Sequence, residues 1–164
     1  MKLTAIVAAF SVCLFSFSCI KPDNYSCNYD ACAFVAPAAE VKVVEDYLAA
    51  NSITDAVKHC SGMYYRIVSP GTGAATTRCA LVSVLYKGML ANGSVFDQTT
   101  TAPFQDYLSN LIRAWQIGVP LVKEGGKITM YIPSSLGYGS AGSGTRIPGN
   151  SMLIFDVTLV ATAR

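Results

Sequence analysis

Leu111, Ile112 and Trp115 lie three and four positions apart within the stretch Leu111–Pro120. On a helical turn that spacing sets all three on one face. Gly118 and Pro120 then end the helix within about three turns, one through weak helix propensity and the other by lacking a backbone donor. The chain's only Trp, flanked by aliphatic residues, must lay that face on an apolar partner. The chemistry this arrangement offers is binding, with Trp115 flooring an apolar pocket between a short helix and a curved antiparallel sheet. A Trp packed in an ordinary core meets the same spacing, so spacing alone leaves both readings open.

The other residues with reactive side chains offer less. His59 is the single histidine, so Ser-His-Asp chemistry has no other imidazole to use, and His59 is expected as an exposed residue at a strand entrance. Cys60 beside it raises zinc. However, no C-x-x-C pair is present, and two adjacent residues seldom both ligate a structural zinc. Gly137-Tyr138-Gly139-Ser140-Ala141-Gly142 satisfies G-x-G-x-x-G, but the loop runs on through Gly144, Pro148 and Gly149 into a final strand instead of opening a helix. The pattern is read as accidental, and the long loop as an overhang to a binding site. No metal and no cofactor are expected.

The elements that would position Trp115 follow from alternation. Met63–Val68 is strand-like and stops at Pro70-Gly71, and Cys79–Leu90 places Val82, Val84 and Tyr86 on one face. Asn92-Gly93 marks a tight turn before Val95-Phe96-Asp97 begins the return. Lys127–Ile132 turns Ile128, Met130 and Ile132 inward. Met152–Val160 does the same with Leu153, Phe155, Val157 and Leu159. The fold class is α+β, a twisted antiparallel sheet wrapped around one short helix. Ahead of it, Glu40–Ala50 carries Val43, Val44, Tyr47 and Leu48 at helical spacing.

A length of 164 residues suits one domain with extensions. A formal charge of +2 with 13% charged residues forms no basic stripe and argues against nucleic acid as a partner. Lys2 precedes an apolar run, Leu3–Phe17, with no charge before Lys21. That length suits a secretory signal and falls short of the roughly twenty residues of a spanning helix. Ser16-Phe17-Ser18 before Cys19 resembles a bacterial lipoprotein cleavage site, although Phe17 is bulky. Residues 1–18 are therefore read as a signal peptide and Cys19 as a lipidation site, with Cys13, simple secretion or an uncleaved membrane anchor as the alternatives. Residues 19–39 show no period and read as a tether, followed by an N-terminal helical segment at 40–58 and the main domain at 62–162. In an exported chain Cys27, Cys32, Cys60 and Cys79 suggest disulfides, with three pairings open. Cys27–Cys32 with Cys60–Cys79 is the expected one.

From Gly62 to Ala161 the sequence resembles the FKBP-type peptidyl-prolyl isomerases. The resemblance rests on ordered motifs: Val84–Leu90, Asn92–Asp97, Pro103-Phe104, Leu111–Gly118, Gly126-Lys127, Ile132-Pro133, Leu136–Gly139, Ile147-Pro148 and Leu153–Val157. The leader and N-terminal helix look similar to those of envelope-tethered bacterial members. The resemblance implies an enzyme that accelerates X-Pro isomerisation, with Tyr86, Phe96, Asp97, Trp115, Tyr138 and Phe155 as catalytic residues. Phe104, Leu111, Ile112 and Ile147 would bind substrate, Ile112 through its backbone N–H and Ile147 at the rim. The implied partners are proline-containing segments of exported polypeptides, macrolide ligands of the family, and a membrane reached through the lipid. The implied location is the cell envelope, periplasmic or outer-membrane associated. A non-catalytic proline-peptide-binding or chaperone module is the alternative. The chain departs from the family in a shortened segment between Phe104 and Leu111. Gly149 and Gly137, where the family favours proline and alanine, would loosen the loop, and Ser143 leaves peptide preference open.

Overall fold

Alternating apolar residues from Tyr64 onward, joined at one edge by the short segment Val57–Lys58, become one six-stranded antiparallel sheet. In chain order its strands are β1 (Val57–Lys58), β2 (Tyr64–Ser69), β3 (Leu81–Leu90), β4 (Val95–Tyr107), β5 (Lys127–Ile132) and β6 (Leu153–Ala163). They pair in the order β1-β2-β5-β6-β3-β4. This computed structural model describes Cys27 and residues 29–163. The expected signal peptide at residues 1–18, with Cys13, and the expected lipidation site Cys19 lie outside the described residues.

Two helices cover the two faces of the sheet. Strand alternation sends Ile128, Met130, Ile132, Leu153, Phe155, Val157 and Leu159 to one face, where all are buried. Onto that face packs α2 (Arg113–Gly118), with Ala114, Trp115, Ile117 and Gly118 buried. Tyr131 and Ile154 point the other way and meet Val44 and Leu48 of α1 (Ala38–Ala50) in a second apolar cluster. Each such side chain contributes roughly 1.5–3 kcal/mol on burial. The expected stripe on α1 is displaced: Val41, Val44 and Leu48 are buried, while Val43 is 53% exposed. Val41 joins the main core near Ala36, which rotates the helix away from Val43. Glu40 Oε2 accepts from the Ser135 N–H at 2.7 Å, fixing the start of α1 to the loop after β5.

β4 is much longer than the short return expected from Val95-Phe96-Asp97. Its register against β3 jumps from Val84↔Phe104 to Tyr86↔Thr99, so the residues between are looped out as a bulge. Pro103 is tolerated there because β4 is an edge strand, where a missing donor breaks no ladder. The bulge bends the edge and turns Phe104 toward α2.

The described part of the expected tether is fastened to the domain. The disulfides join Cys27 to Cys79 and Cys32 to Cys60, with Cα–Cα distances of 5.8 and 5.4 Å. The expected Cys27–Cys32 and Cys60–Cys79 pairing is thereby corrected. Residues 29–36 run back across the domain, bringing each early cysteine to a distant partner. Ala36 is buried, and its N–H donates to Ser61 O at 2.9 Å. Arg78 lies over the Tyr29 ring at 4.5 Å and Arg113 over the Phe34 ring at 4.2 Å. Among the described residues, no helix is long and apolar enough to cross a membrane.

Candidate active site

The site begins with how the chain enters α2. Leu111 (φ −89°, ψ 169°) and Ile112 (ψ 150°) are extended, and the helix starts only at Arg113. The expectation that Leu111, Ile112 and Trp115 share one helical turn is therefore corrected. The three still meet, because the extended entry and the helix converge on one hollow. Gln116 holds that entry: its Nε2 donates to Leu111 O at 2.7 Å and to Ser109 O at 3.1 Å, while its Oε1 accepts from Arg78 Nε at 2.6 Å. Sequence reasoning missed Gln116 and Arg78, since a polar residue on a short helix carries no signal of what it will reach.

The hollow has a volume of about 210 Å³. Its walls are Tyr86, Phe96, Asp97, Phe104, Leu111, Ile112, Trp115, Tyr138 and Phe155. Ten residues were singled out by sequence for catalysis or substrate contact, and nine of them stand on this wall. The tenth, Ile147, is buried and lines a smaller adjoining hollow instead.

The rings meet edge to face. Trp115 and Phe155 have centroids 5.3 Å apart at 89°, Tyr86 and Trp115 5.2 Å at 79°, and Phe96 and Phe155 5.4 Å at 81°. This geometry suits the ring quadrupoles and props the rings apart, so space remains between them. Trp115 is only 4% exposed, and its Nε1–H finds no acceptor among the described residues, so apolar contact holds the ring. Gly88 makes the wall feasible. A Cβ there would come within 2.6 Å of the Phe96 ring and 2.8 Å of Phe155, so the rings lie directly on the β3 backbone.

Polar groups are few and lie at the rim. The Tyr86 hydroxyl donates to Asp97 Oδ2 at 2.6 Å, and Gln98 N–H donates to Asp97 Oδ1 at 3.0 Å. Burial, and then the bond to Asp97, push the Tyr86 hydroxyl pKa well above its usual value. Burial, and then the Asp97 charge, raise that of Tyr138. Both stay protonated donors at neutral pH. The only carboxylate on the wall is already hydrogen-bonded, and no imidazole lines the hollow.

At Gly137 and Gly149, where loosening is expected, the loop carrying Tyr138 packs closely. A Cβ on Gly149 would collide with Ser140 O, and one on Gly137 would come within 2.8 Å of Leu153 Cδ1, so glycine permits tight packing at both. The G-x-G-x-x-G stretch follows one 3-10 turn, Ser134–Leu136, contains another, Gly139–Ala141, and opens no α-helix. The expectation that His59 is exposed is corrected: it is half-buried, with its Nδ1 accepting from Ser61 N–H at 3.1 Å. Cys32, His59 and Cys60 lie close enough to suggest a metal, but the two sulfurs are joined in the disulfide, which leaves no thiolate pair to ligate one.

Comparison with known proteins places this arrangement. FkpA of Aeromonas hydrophila, named an FKBP-type peptidyl-prolyl cis-trans isomerase, is 40% identical over 120 residues, 71% of this chain and 44% of that protein. The Escherichia coli K12 protein of the same name is 41% identical over 102 residues, 61% of this chain and 37% of that one. The crystal structure of Escherichia coli FkpA superposes with a TM-score of 0.68 at 34% identity, covering 76% of this chain and 60% of that chain. A peptidyl-prolyl cis-trans isomerase from Pseudomonas syringae pv. tomato gives the same TM-score at 28% identity, covering 77% and 95%. The chain spans less than half the length of these curated relatives, 37–44%. The family model described as FKBP-type peptidyl-prolyl cis-trans isomerase matches residues 73–160, just over half of the sequence. With the pocket rings and the rim tyrosines all in the stretch that matches, the chain belongs to the FKBP-type peptidyl-prolyl cis-trans isomerase family.

Proposed function

We propose that this chain accelerates cis–trans exchange at X–Pro bonds of exported polypeptides. The observation that carries the reading is the open, ring-walled hollow floored by Trp115, with tyrosine hydroxyls only at its rim. The barrier to amide rotation is about 18–20 kcal/mol and comes from resonance. X–Pro isomers differ by only about 0.5–1 kcal/mol yet exchange over tens of seconds or longer. A catalyst therefore needs no nucleophile. It needs a site that favours the twisted amide over the planar one.

In the twisted state the amide is less delocalised and less charge-separated, so an apolar cavity penalises it less than the planar ground state. The pyrrolidine ring sits on the indole, within the walls of Tyr86, Phe96, Phe104 and Phe155. Ile112 N–H precedes the helix and so has no intrahelical acceptor, which suits it to one substrate carbonyl. The Tyr138 hydroxyl takes a second. These two anchors hold the chain on either side of the bond while it turns. Asp97 orients the Tyr86 hydroxyl and takes no proton from substrate.

The same hollow suits macrolide ligands of the family. Lipidation at Cys19, after removal of residues 1–18, would hold the domain at the cell envelope, in the periplasm or at the outer membrane. Mass spectrometry of the mature N-terminus tests that placement: a diacylglycerol mass on Cys19 supports it, and an unmodified N-terminus overturns it. A proline-peptide exchange assay tests the activity. Acceleration at micromolar protein is expected. Binding of peptide without acceleration would instead favour a proline-binding or chaperone module.

A further inference from the structure

Beside the ring-walled hollow lies a second of about 90 Å³, lined by Phe96, Asp97, Tyr138, Ser143, Arg146 and Ile147. It shares Phe96, Asp97 and Tyr138 with the first, so the two form one continuous surface. Their chemistry differs. The larger hollow is dominated by rings, whereas the smaller adds a hydroxyl and a guanidinium to a carboxylate and a phenol.

The backbone presenting Arg146 is a closed turn. Ser143 N–H donates to Ile147 O at 2.8 Å, and Ile147 N–H donates to Ser143 O at 3.2 Å. Ile147 is buried and pins the turn to the core, while Arg146 is exposed. Among the described residues Arg146 is in no ion pair. Asp97, the neighbouring carboxylate, already receives Tyr86 and Gln98 on its two oxygens. Arg146 is close enough for its charge to act on the Tyr86 hydroxyl. A cation is thus held on a fixed turn at the mouth of the pocket, its planar donors free for a ligand carboxylate.

We infer that this second hollow is a subsite for an acidic side chain next to the substrate proline, with Arg146 as its specificity-determining residue. The inference rests on the isomerase reading and extends it to which proline segments are preferred. Ser143 provides a hydroxyl to the same carboxylate, and Asp97, which lines both hollows, has its two oxygens engaged by Tyr86 and Gln98. Because the guanidinium is exposed, the ion pair is partly screened. The preference should therefore amount to about two- to fivefold, largest at low salt.

The test uses two proline tetrapeptide series, with Glu, Gln, Lys or Leu before the proline in one and after it in the other. Exchange rates are measured at low and high salt, and Trp115 fluorescence reports peptide binding in parallel. The expected result is a Glu-over-Gln ratio of about two to five in kcat/KM for one series, collapsing in 0.5 M salt. That ratio should fall to about one in Arg146→Gln and reverse in favour of Lys in Arg146→Glu. A wild-type ratio near one in both series overturns the subsite, as does a ratio that survives Arg146→Gln. If no peptide is exchanged faster but Glu peptides still bind more tightly through Arg146, the isomerase reading falls and the subsite stands. If no peptide binds, both fall.

Discussion

The sheet carries a helix on each face, and the two interfaces are built differently. Behind the sheet, α1 lays Val44 and Leu48 on Tyr131, Met152 and Ile154, and these five residues are at most 6% exposed. In front, α2 is half as long and lays Trp115 among rings that meet edge to face and leave a hollow of about 210 Å³. Aliphatic chains interdigitate and fill space. Rigid rings at right angles prop one another apart. The back interface can therefore serve stability alone, while the front gives up contact area for an accessible cavity. Phe155 and Ile154 are consecutive on β6 and belong to opposite interfaces, so the contrast can be tested with neighbouring residues.

Phe155→Ala should do the most damage, because this ring is both core and pocket wall at 3% exposure. A loss of about 3–5 kcal/mol is expected in urea unfolding, with exchange activity falling in whatever fraction remains folded. A loss below about 1 kcal/mol would mean that the ring lines open space and contributes little to the core. Ile154→Ala should cost about 2–4 kcal/mol while kcat/KM per folded molecule stays at the wild-type value. An activity loss beyond the unfolded fraction would show that the back face is coupled to the pocket.

Tyr138→Phe should leave the unfolding curve in place and lower turnover about two- to tenfold, the worth of one hydrogen bond. Loss of the fold would tell against a rim position for that hydroxyl. The smallest effect concerns pH. Burial raises the hydroxyl pKa values of Tyr86 and Tyr138 in front and of Tyr131 behind. A tyrosine harder to ionise in the fold costs nothing below its unfolded pKa of about 10. Above that, the unfolded chain releases its proton first and stability declines as pH rises. Turnover should hence be level between about pH 7 and pH 9, while the urea midpoint drops only beyond about pH 10. A tyrosine-linked fall in turnover near pH 8 would contradict the protonated rim donors.

Much of this molecule could be read from residue order. Period-two alternation in Lys127–Ile132 and Leu153–Leu159 marked the inward face, because a strand has only two sides. The ordered motifs, through family resemblance, picked out nine residues that the fold gathers on one wall. Local spacing misled where a tertiary contact outranked it. Leu111 and Ile112 fit a helical turn with Trp115, yet the Gln116 side chain reaches back to the Leu111 and Ser109 carbonyls and holds the entry extended. Val43 suits the apolar stripe of α1, but Val41 finds the core beside Ala36 and turns the helix.

The amino-acid order by itself determined which side chains are apolar, at what period, and hence the strands and the ring set of the pocket, since those depend on neighbours along the chain. Only the tertiary structure decided the disulfide partners, the looped-out stretch in β4 and the meeting of Arg146 and Asp97 in the lining of one hollow. Each of those joins residues far apart in sequence, brought together by the path of the folded backbone, which no local spacing encodes.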